Sequence, residues 1–377
     1  MRILFTACPM YGHVNTLLPL ARAAQRAGHQ VVVATGSDLT PHIQRAGLEA
    51  WPVGPTHRDA GGGADADWMA YFADSARTRA IDLMPRAIAW QPDLVIAEET
   101  ELAGPVAAAV AGARHVVHGL GIMPPMPIWT AFSASIQGLY DRWSVTQDAH
   151  AIRTRPYLEI CPPGLRGGGE RIWSDARAIR PSFGEALDGA TLPAEITGLP
   201  YADTVHLTLG TVFHGNRPVL ETALAGLRHL PINVVVAAGP GIEPREFGPQ
   251  PANVHISGYL PHALLLPTCR AVVSQGGAGV LFGSLAHGLP HLVLPQGAEQ
   301  FMNAEAAAAT GAALVLAPDE VNTGAVTATV TRLLREPSFS RAAEAIRDQI
   351  ATMPDADAVL EALTHQSDRV SSSAWST

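Results

Sequence analysis

The chain has 377 residues, enough for two domains, and its 47% hydrophobic and 16% charged residues support a large packed core. A formal net charge of -9 and an isoelectric point near 5.9 argue against a nucleic-acid or anionic-membrane surface. Three cysteines, Cys8, Cys161 and Cys269, lie far apart without metal-ligand spacing, so a reduced, cytoplasmic setting is expected and neither a metal nor a cofactor is.

In chain order, Arg2 to Ala7 reads as a first strand, too short an apolar run for a signal peptide. A loop from Cys8 to His13 leads into an amphipathic helix ending near Ala27, closed by Gly28. Gln30 to Ala34 is the second strand, and Ser37 can cap a helix to Ala46. Such alternation predicts a parallel, doubly wound sheet. No GxGxxG follows the first strand, which speaks against a dinucleotide at that turn. Val53 to Asp67 reads as a surface loop, Trp68 to Trp90 as a long helix, Leu94 to Ala97 as a strand, Glu101 to Ala111 as a helix and Arg114 to His118 as a strand. The Met- and Pro-rich segment Met123 to Trp129 opens a helix through Tyr140, and Cys161 to Glu170 is a Pro/Gly-rich loop. Residues 1–186 are therefore expected to form one domain, with a linker at 187–202.

A second domain is expected over 203–352, with strands at Thr204 to Leu209, Ile232 to Ala237 and Val254 to Ile256. Its central stretch runs from Ala271 to Asn303. There the strand Ala271 to Val273 is followed by Gly276, Gly277 and Gly279, a helix to about His287, Gly288 and Pro290 as its stop, and a strand from His291 to Leu294. A glycine-rich turn between strand and helix leaves backbone N–H groups unpaired at the positive end of the helix, where a diphosphate can bind without a metal. Helices follow at Asn322 to Arg335 and Ser338 to Thr352, a last helix after Pro354 runs to Leu363, and residues 366–377 are expected to be a disordered tail.

These motifs resemble those of the GT-B fold glycosyltransferases that decorate antibiotics, macrolides and plant metabolites. In that family the turn usually reads HGGAGT and a later Asp-Gln or Glu-Gln pair grips sugar hydroxyls; here they are Gln275-Gly276-Gly277-Ala278-Gly279-Val280 and Glu299-Gln300. Gln275 stands in place of the usual histidine and Val280 in place of a threonine, which removes one chargeable group and one hydroxyl donor. Gly12 to Ala21 resembles the family's GHVNPLLPLA, with Thr16 where proline is usual. The resemblance implies two Rossmann-like parallel-sheet α/β domains facing across a cleft, with the last helix, about residues 353–365, crossing back to the N-terminal domain.

It also implies site roles. His13, at the carboxyl edge of the first strand, would be the base that takes a proton from the acceptor hydroxyl. Glu98 takes the acidic position after the strand Pro92 to Ala97 and would orient that imidazole, with Glu99 and Glu101 close enough to compete for the assignment. Tyr259, Leu260 and His262 match the turn that flanks the donor base, Gly210 and Thr211 match a loop that contacts the donor phosphates or sugar, and Asn303 extends the Glu299-Gln300 motif. Met10, Trp68, Phe72, Met123, Met126, Trp129, Phe132 and Trp143 fall in segments that line the acceptor side in relatives and suit an apolar aglycone, though each is also an ordinary core residue for its helix. The expected function is inverting transfer from a dTDP- or UDP-sugar to an apolar natural product, with nucleotide sugar and small acceptor as partners and a homodimer left open. The rival readings are a catalytically silent sugar-nucleotide-binding auxiliary protein, and a GT-B epimerase or a transferase acting on a lipid-linked precursor.

Overall fold

The structure, a computed structural model, describes residues 1–60, 67–167, 173–181, 191–210, 216–239 and 242–371. Its first half contains β1 (Arg2–Thr6), α1 (Tyr11–Arg26), β2 (Gln30–Thr35), α2 (Thr40–Arg45), β3 (Glu49–Pro52), α3 (Trp68–Trp90), β4 (Leu94–Glu98), α4 (Gly104–Ala111), β5 (Arg114–His118), α5 (Met126–Arg142), β6 (Tyr157–Glu159) and β7 (Ala176–Ala178). The strands form one parallel sheet in the order β3-β2-β1-β4-β5-β6-β7. The second half contains α6 (Ala194–Thr197), β8 (Thr204–Thr208), α7 (Arg217–Leu227), β9 (Asn233–Ala237), β10 (Val254–Ser257), α8 (His262–Leu265), β11 (Ala271–Ser274), α9 (Ala278–Ala286), β12 (His291–Val293), α10 (Gln300–Ala309), β13 (Ala313–Val315), α11 (Thr323–Arg335), α12 (Pro337–Thr352) and α13 (Ala356–Ser371). Its parallel sheet runs β10-β9-β8-β11-β12-β13.

Side-chain alternation explains the layers. In β1, Ile3 and Phe5 point into a core with α1, while Leu4 points to the opposite core built by α3, α4 and α5. Both faces are covered, so these strands are apolar throughout instead of alternating with polar residues. The α1-side core continues into the second half through Leu281, Phe282 and Leu285 of α9 and Ile346 and Ile350 of α12. Arg180 reinforces that junction, donating through its backbone N–H to Pro354 O at 2.7 Å and through Nε to Met353 O at 3.1 Å. On α1, Arg26 pairs with Asp357 of α13 at 3.0 Å, and Arg114 donates to Leu363 O at 2.9 Å.

Chain order reverses between β1 and β4 in the first sheet and between β8 and β11 in the second. At each reversal two loops leave the carboxyl edge side by side with no crossover helix between them, and ligand crevices form there. One crevice receives the loops carrying His13 and Glu98; the other receives those carrying Gly210 and Gln275.

Several elements differ from the expectations. β3 at one edge of the sheet and β6 and β7 at the other are strands of three or four residues, too short for an alternation to register. Ser37 opens a 3-10 turn (Ser37–Leu39) ahead of α2 and makes no capping bond. Asn216, the residue before α7, makes no side-chain capping bond either; its Nδ2 donates to Gln296 Oε1. The last helix continues past Leu363 to Ser371, a correction to the disordered tail for residues 366–371, since no glycine or proline interrupts it. Residues 61–66 of the expected surface loop, 187–190 of the expected linker, and Thr211 lie outside the described residues.

Candidate active site and donor cleft

The loop after β1 delivers His13 to the first turn of α1, and β4 ends on Glu98. His13 Nδ1 stands 2.9 Å from Glu98 Oε1. The carboxylate is fully buried, while the imidazole keeps 12% of its surface open. Glu98 also accepts from Cys8 N at 3.1 Å, from Thr100 N at 2.8 Å and from Thr100 Oγ1 at 2.9 Å. Burial alone would raise its pKa, but the His13 charge and hydrogen bond and the two N–H groups outweigh that and hold it down to about 2. An ionised Glu98 only accepts, so His13 Nδ1 carries the proton and Nε2 is left as the free acceptor. Thr100, which no motif singled out, completes the arrangement: its Oγ1 also lies 3.2 Å from His13 Nδ1.

The structure separates the three glutamates that the sequence left in competition. Glu101 pairs with Arg79 in the interior, with Arg79 Nε donating to its Oε1 at 2.8 Å. Glu99 points away from His13 and accepts from Tyr157 Oη at 2.6 Å. Burial is the main reason its pKa rises, to about 8, with the Glu98 and Glu299 charges adding to it against the Tyr157 and Leu120 hydrogen bonds. Between the ordinary carboxyl value and about 8 the folded chain therefore keeps a proton that the unfolded chain has lost, and stability falls as pH rises through that window. Glu99→Gln, which retains an acceptor for Tyr157, should flatten this slope and gain stability over the parent as pH climbs to 8 and above. Melting temperatures measured from about pH 5 to pH 9 test it; parallel curves would reject a proton on Glu99.

Across the cleft, β11 ends at Ser274 and Gly276 turns the chain with φ +84. A Cβ there would meet Val293 Cγ1 at 2.5 Å, so only glycine fits. Gly276 N donates to Ser274 Oγ at 3.0 Å, and Asn303 Nδ2 donates to Gly276 O at 2.9 Å. Ser274 Oγ in turn lies 2.8 Å from His291 Nε2, and Ser284 Oγ 2.8 Å from His291 Nδ1, so a buried imidazole braces the turn from behind. The Gly276 amide is thus committed internally, and the anion-binding capacity resides in the first N–H groups of α9, beginning at Ala278, which lack helical partners. Gln275 is buried beside them: a Cβ on Gly210 would fall 2.2 Å from its Nε2, and one on Gly277 2.9 Å from it. Among the described residues Gln275 Oε1 has no hydrogen-bond partner.

Glu299 precedes α10 and keeps access to solvent; the surrounding protein raises its carboxyl pKa, the backbone and the nearby His13 charge opposing. The His13 charge acts on Glu299, and the Glu299 charge on Glu99. Gln300 is buried, and its Oε1 accepts from Gln296 N at 2.8 Å, so it shapes the loop while Glu299 faces the cleft. Tyr259 is 68% exposed, Leu260 is core, and His262 is half-buried with Nε2 3.2 Å from His206 Nε2. Val280 packs with Leu266 and Val272.

On the other side of His13, Phe72 stands 6.1 Å from the imidazole ring and 6.0 Å from Phe132. Trp68, Tyr71 and Phe72 cover Cys8 and Met10. Met126 is partly exposed and accepts from Arg153, and Met123 packs against the helical core. Trp129 has no exposed surface and packs 4.7 Å from Trp173, and Phe132 is nearly as buried, because α5 turns that face inward. Both support the wall without lining it, a correction. Trp143 borders an outer depression with Ile88, Ala109 and Val110, apart from the His13 cluster.

Two parallel-sheet α/β domains whose switch-point loops meet across a cleft define a GT-B glycosyltransferase. Residues 221–365 match the model of the erythromycin biosynthesis protein CIII-like C-terminal domain, and residues 63–151 match that of its N-terminal domain. The chain is 32% identical to the L-demethylnoviosyl transferase of Streptomyces niveus, over 96% of this chain and 97% of that one. It is also 32% identical to the elloramycin glycosyltransferase ElmGT of Streptomyces olivaceus, over 94% of each. Among solved structures, the glycosyltransferase VinC in complex with dTDP superposes with a TM-score of 0.82 at 26% identity, covering 98% of this chain and all of that one. SnogD from Streptomyces nogalater gives 0.81 at 26%, covering 97% and 99%. The chain belongs to the erythromycin CIII-like family of antibiotic-biosynthesis glycosyltransferases.

Proposed function

We propose that this chain moves a sugar from a dTDP- or UDP-sugar to an apolar natural-product acceptor with inversion, using His13 as general base and Glu98 as its orienting anion. The observation that carries the reading is the His13–Glu98 pair at 2.9 Å, facing Glu299 and the α9 turn from the opposite sheet. His13 Nε2 takes the acceptor's hydroxyl proton as that oxygen bonds to the anomeric carbon. The bond from that carbon to the diphosphate oxygen breaks, and the diphosphate leaves with the electron pair. Glu98 stabilises the imidazolium so formed. The leaving charge falls on the N–H groups that open α9, so the reading gives no step to a metal. Glu299 would accept hydrogen bonds from sugar hydroxyls, and the apolar wall around Phe72 would face the aglycone. A dTDP donor is favoured over UDP because VinC was solved with dTDP.

A panel of nucleotide sugars against mixed aglycones tests this, read by release of free nucleoside diphosphate and by the anomeric configuration of the product. Retention of configuration, or binding with no turnover for any pair, would overturn it. For Gln275→Ala we expect donor affinity to weaken by about 1–3 kcal/mol, the value of one hydrogen bond to a charged group, because the carboxamide abuts Gly210 and Gly277 at the phosphate turn. Unchanged donor affinity by calorimetry would remove Gln275 from the site.

A further inference from the structure

We propose that Cys8, His13 and Glu98 form a binding site for a thiophilic divalent cation of the zinc type, and that such a cation switches the enzyme off by occupying its base. Ligand atoms of the three residues all lie within 4.8 Å of one another, close enough to converge on one ion. They supply one sulfur, one imidazole nitrogen and one carboxylate oxygen, a set that suits zinc, with a fourth position left for water. Magnesium and calcium, which need several oxygen ligands, find only one carboxylate. Cys8 and Glu98 are buried, so access is by way of the His13 edge that opens on the cleft.

The ligands are held by bonds that a metal can replace. The Cys8 thiol donates to Thr100 O at 3.5 Å, and His13 Nδ1 donates to Glu98 Oε1 at 2.9 Å, while the Cys8 amide and Thr100 keep the carboxylate oriented toward them. Coordination releases the thiol proton to solvent and shifts the imidazole proton from Nδ1 to Nε2, with no change in oxidation state. The cation then stands between two anionic ligands where the protein otherwise relies on the imidazole. With Nδ1 metallated, His13 loses the carboxylate that orients it and cannot serve as base. Cys161 and Cys269 have no comparable grouping among the described residues.

Cobalt(II) as a spectroscopic stand-in for zinc decides this on the full chain. Wild-type protein should bind one cobalt per chain with a sulfur-to-metal charge-transfer band, displaced by zinc and unaffected by excess magnesium. Cys8→Ser should lose the band and bind at least about tenfold more weakly, Glu98→Gln should also bind more weakly, and Cys161→Ser should match wild type. Zinc should also shield Cys8 from alkylation in the wild-type protein, read peptide by peptide by mass spectrometry, which needs no variant to fold. A band retained in Cys8→Ser, or no shielding at saturating zinc, overturns the site. The inhibition arm rests on the proposed base role: zinc should abolish nucleotide release and a chelator restore it. The binding arms do not, so a failed catalytic reading and a failed metal site are told apart.

Discussion

His13→Ala should lower turnover by about 10²–10⁴-fold, the usual contribution of a positioned general base, while leaving donor affinity nearly unchanged. The asymmetry follows from where the residue sits. His13 belongs to the first sheet's crevice, whereas the glycine turn proposed to hold the diphosphate, Gln275 and Gly210 belong to the second. The three acids that follow β4 are not placed to replace it: Glu98 is fully buried and its oxygens are engaged by Thr100 and the Cys8 amide, Glu99 is turned toward Tyr157, and Glu101 is paired with Arg79. Glu98→Gln should lose turnover as well, by less than His13→Ala, because a carboxamide can present its amino group to Nδ1 and favour the wrong tautomer. Single-turnover kinetics with calorimetric donor binding separates the two effects. A His13→Ala enzyme within a few-fold of wild-type turnover would show that the proton leaves by another route.

The parts of this site that were legible in the sequence are those with a local signature. The glycine turn was visible because strand, glycines and helix are contiguous, and His13 because its neighbours match a motif over ten residues. Glu98 could be placed only as one of three nearby acids, since adjacent positions at a strand end differ in direction and not in composition. Thr100, Cys8 and the Ser274–His291–Ser284 brace were not legible. Their roles depend on loops brought together by sheet order, and a single Thr, Cys or Ser carries no periodic signal. The acceptor wall failed for a related reason. An aromatic on an amphipathic helix looks the same whether it faces a cleft or a neighbouring helix, and Trp129 faces Trp173. Gln300 shows that a motif pair need not point one way: Glu299 turns outward before the helix starts and Gln300 turns inward after it.

Arg79→Ala should cost about 3–5 kcal/mol of folding stability, the usual result of removing one partner from a buried ion pair. Arg79 lies mid-way along α3 with no exposed surface. Besides the Glu101 contact it donates through Nη2 to Ala34 O at 3.3 Å and through Nη1 to Val53 O at 3.5 Å. Glu101 in turn accepts from Ala103 N at 3.2 Å and Gly104 N at 2.7 Å, at the start of α4. One guanidinium thus ties α3 to the end of β2 and to the loop that carries Glu98 and Thr100. The backbone makes room for it: Gly54 has φ +66, and a Cβ there would fall 2.3 Å from Arg79 Cγ. Truncation leaves an uncompensated carboxylate in the interior, which the two α4 amides only partly satisfy. Arg79→Lys should not rescue fully, because an ammonium cannot span three acceptors in the plane of the guanidinium. Adding Glu101→Gln to Arg79→Met should recover much of the loss, since it removes the stranded charge and keeps an acceptor for the α4 amides. Urea denaturation of the single and double variants gives the coupling between the two sites. A loss below about 1 kcal/mol for Arg79→Ala, the range of exposed ion pairs, would mean that water reaches the pair. Because the strut holds the loop bearing Thr100, turnover in Arg79→Ala should also fall at temperatures well below its melting point. Donor affinity, set on the other sheet, should stay where it was.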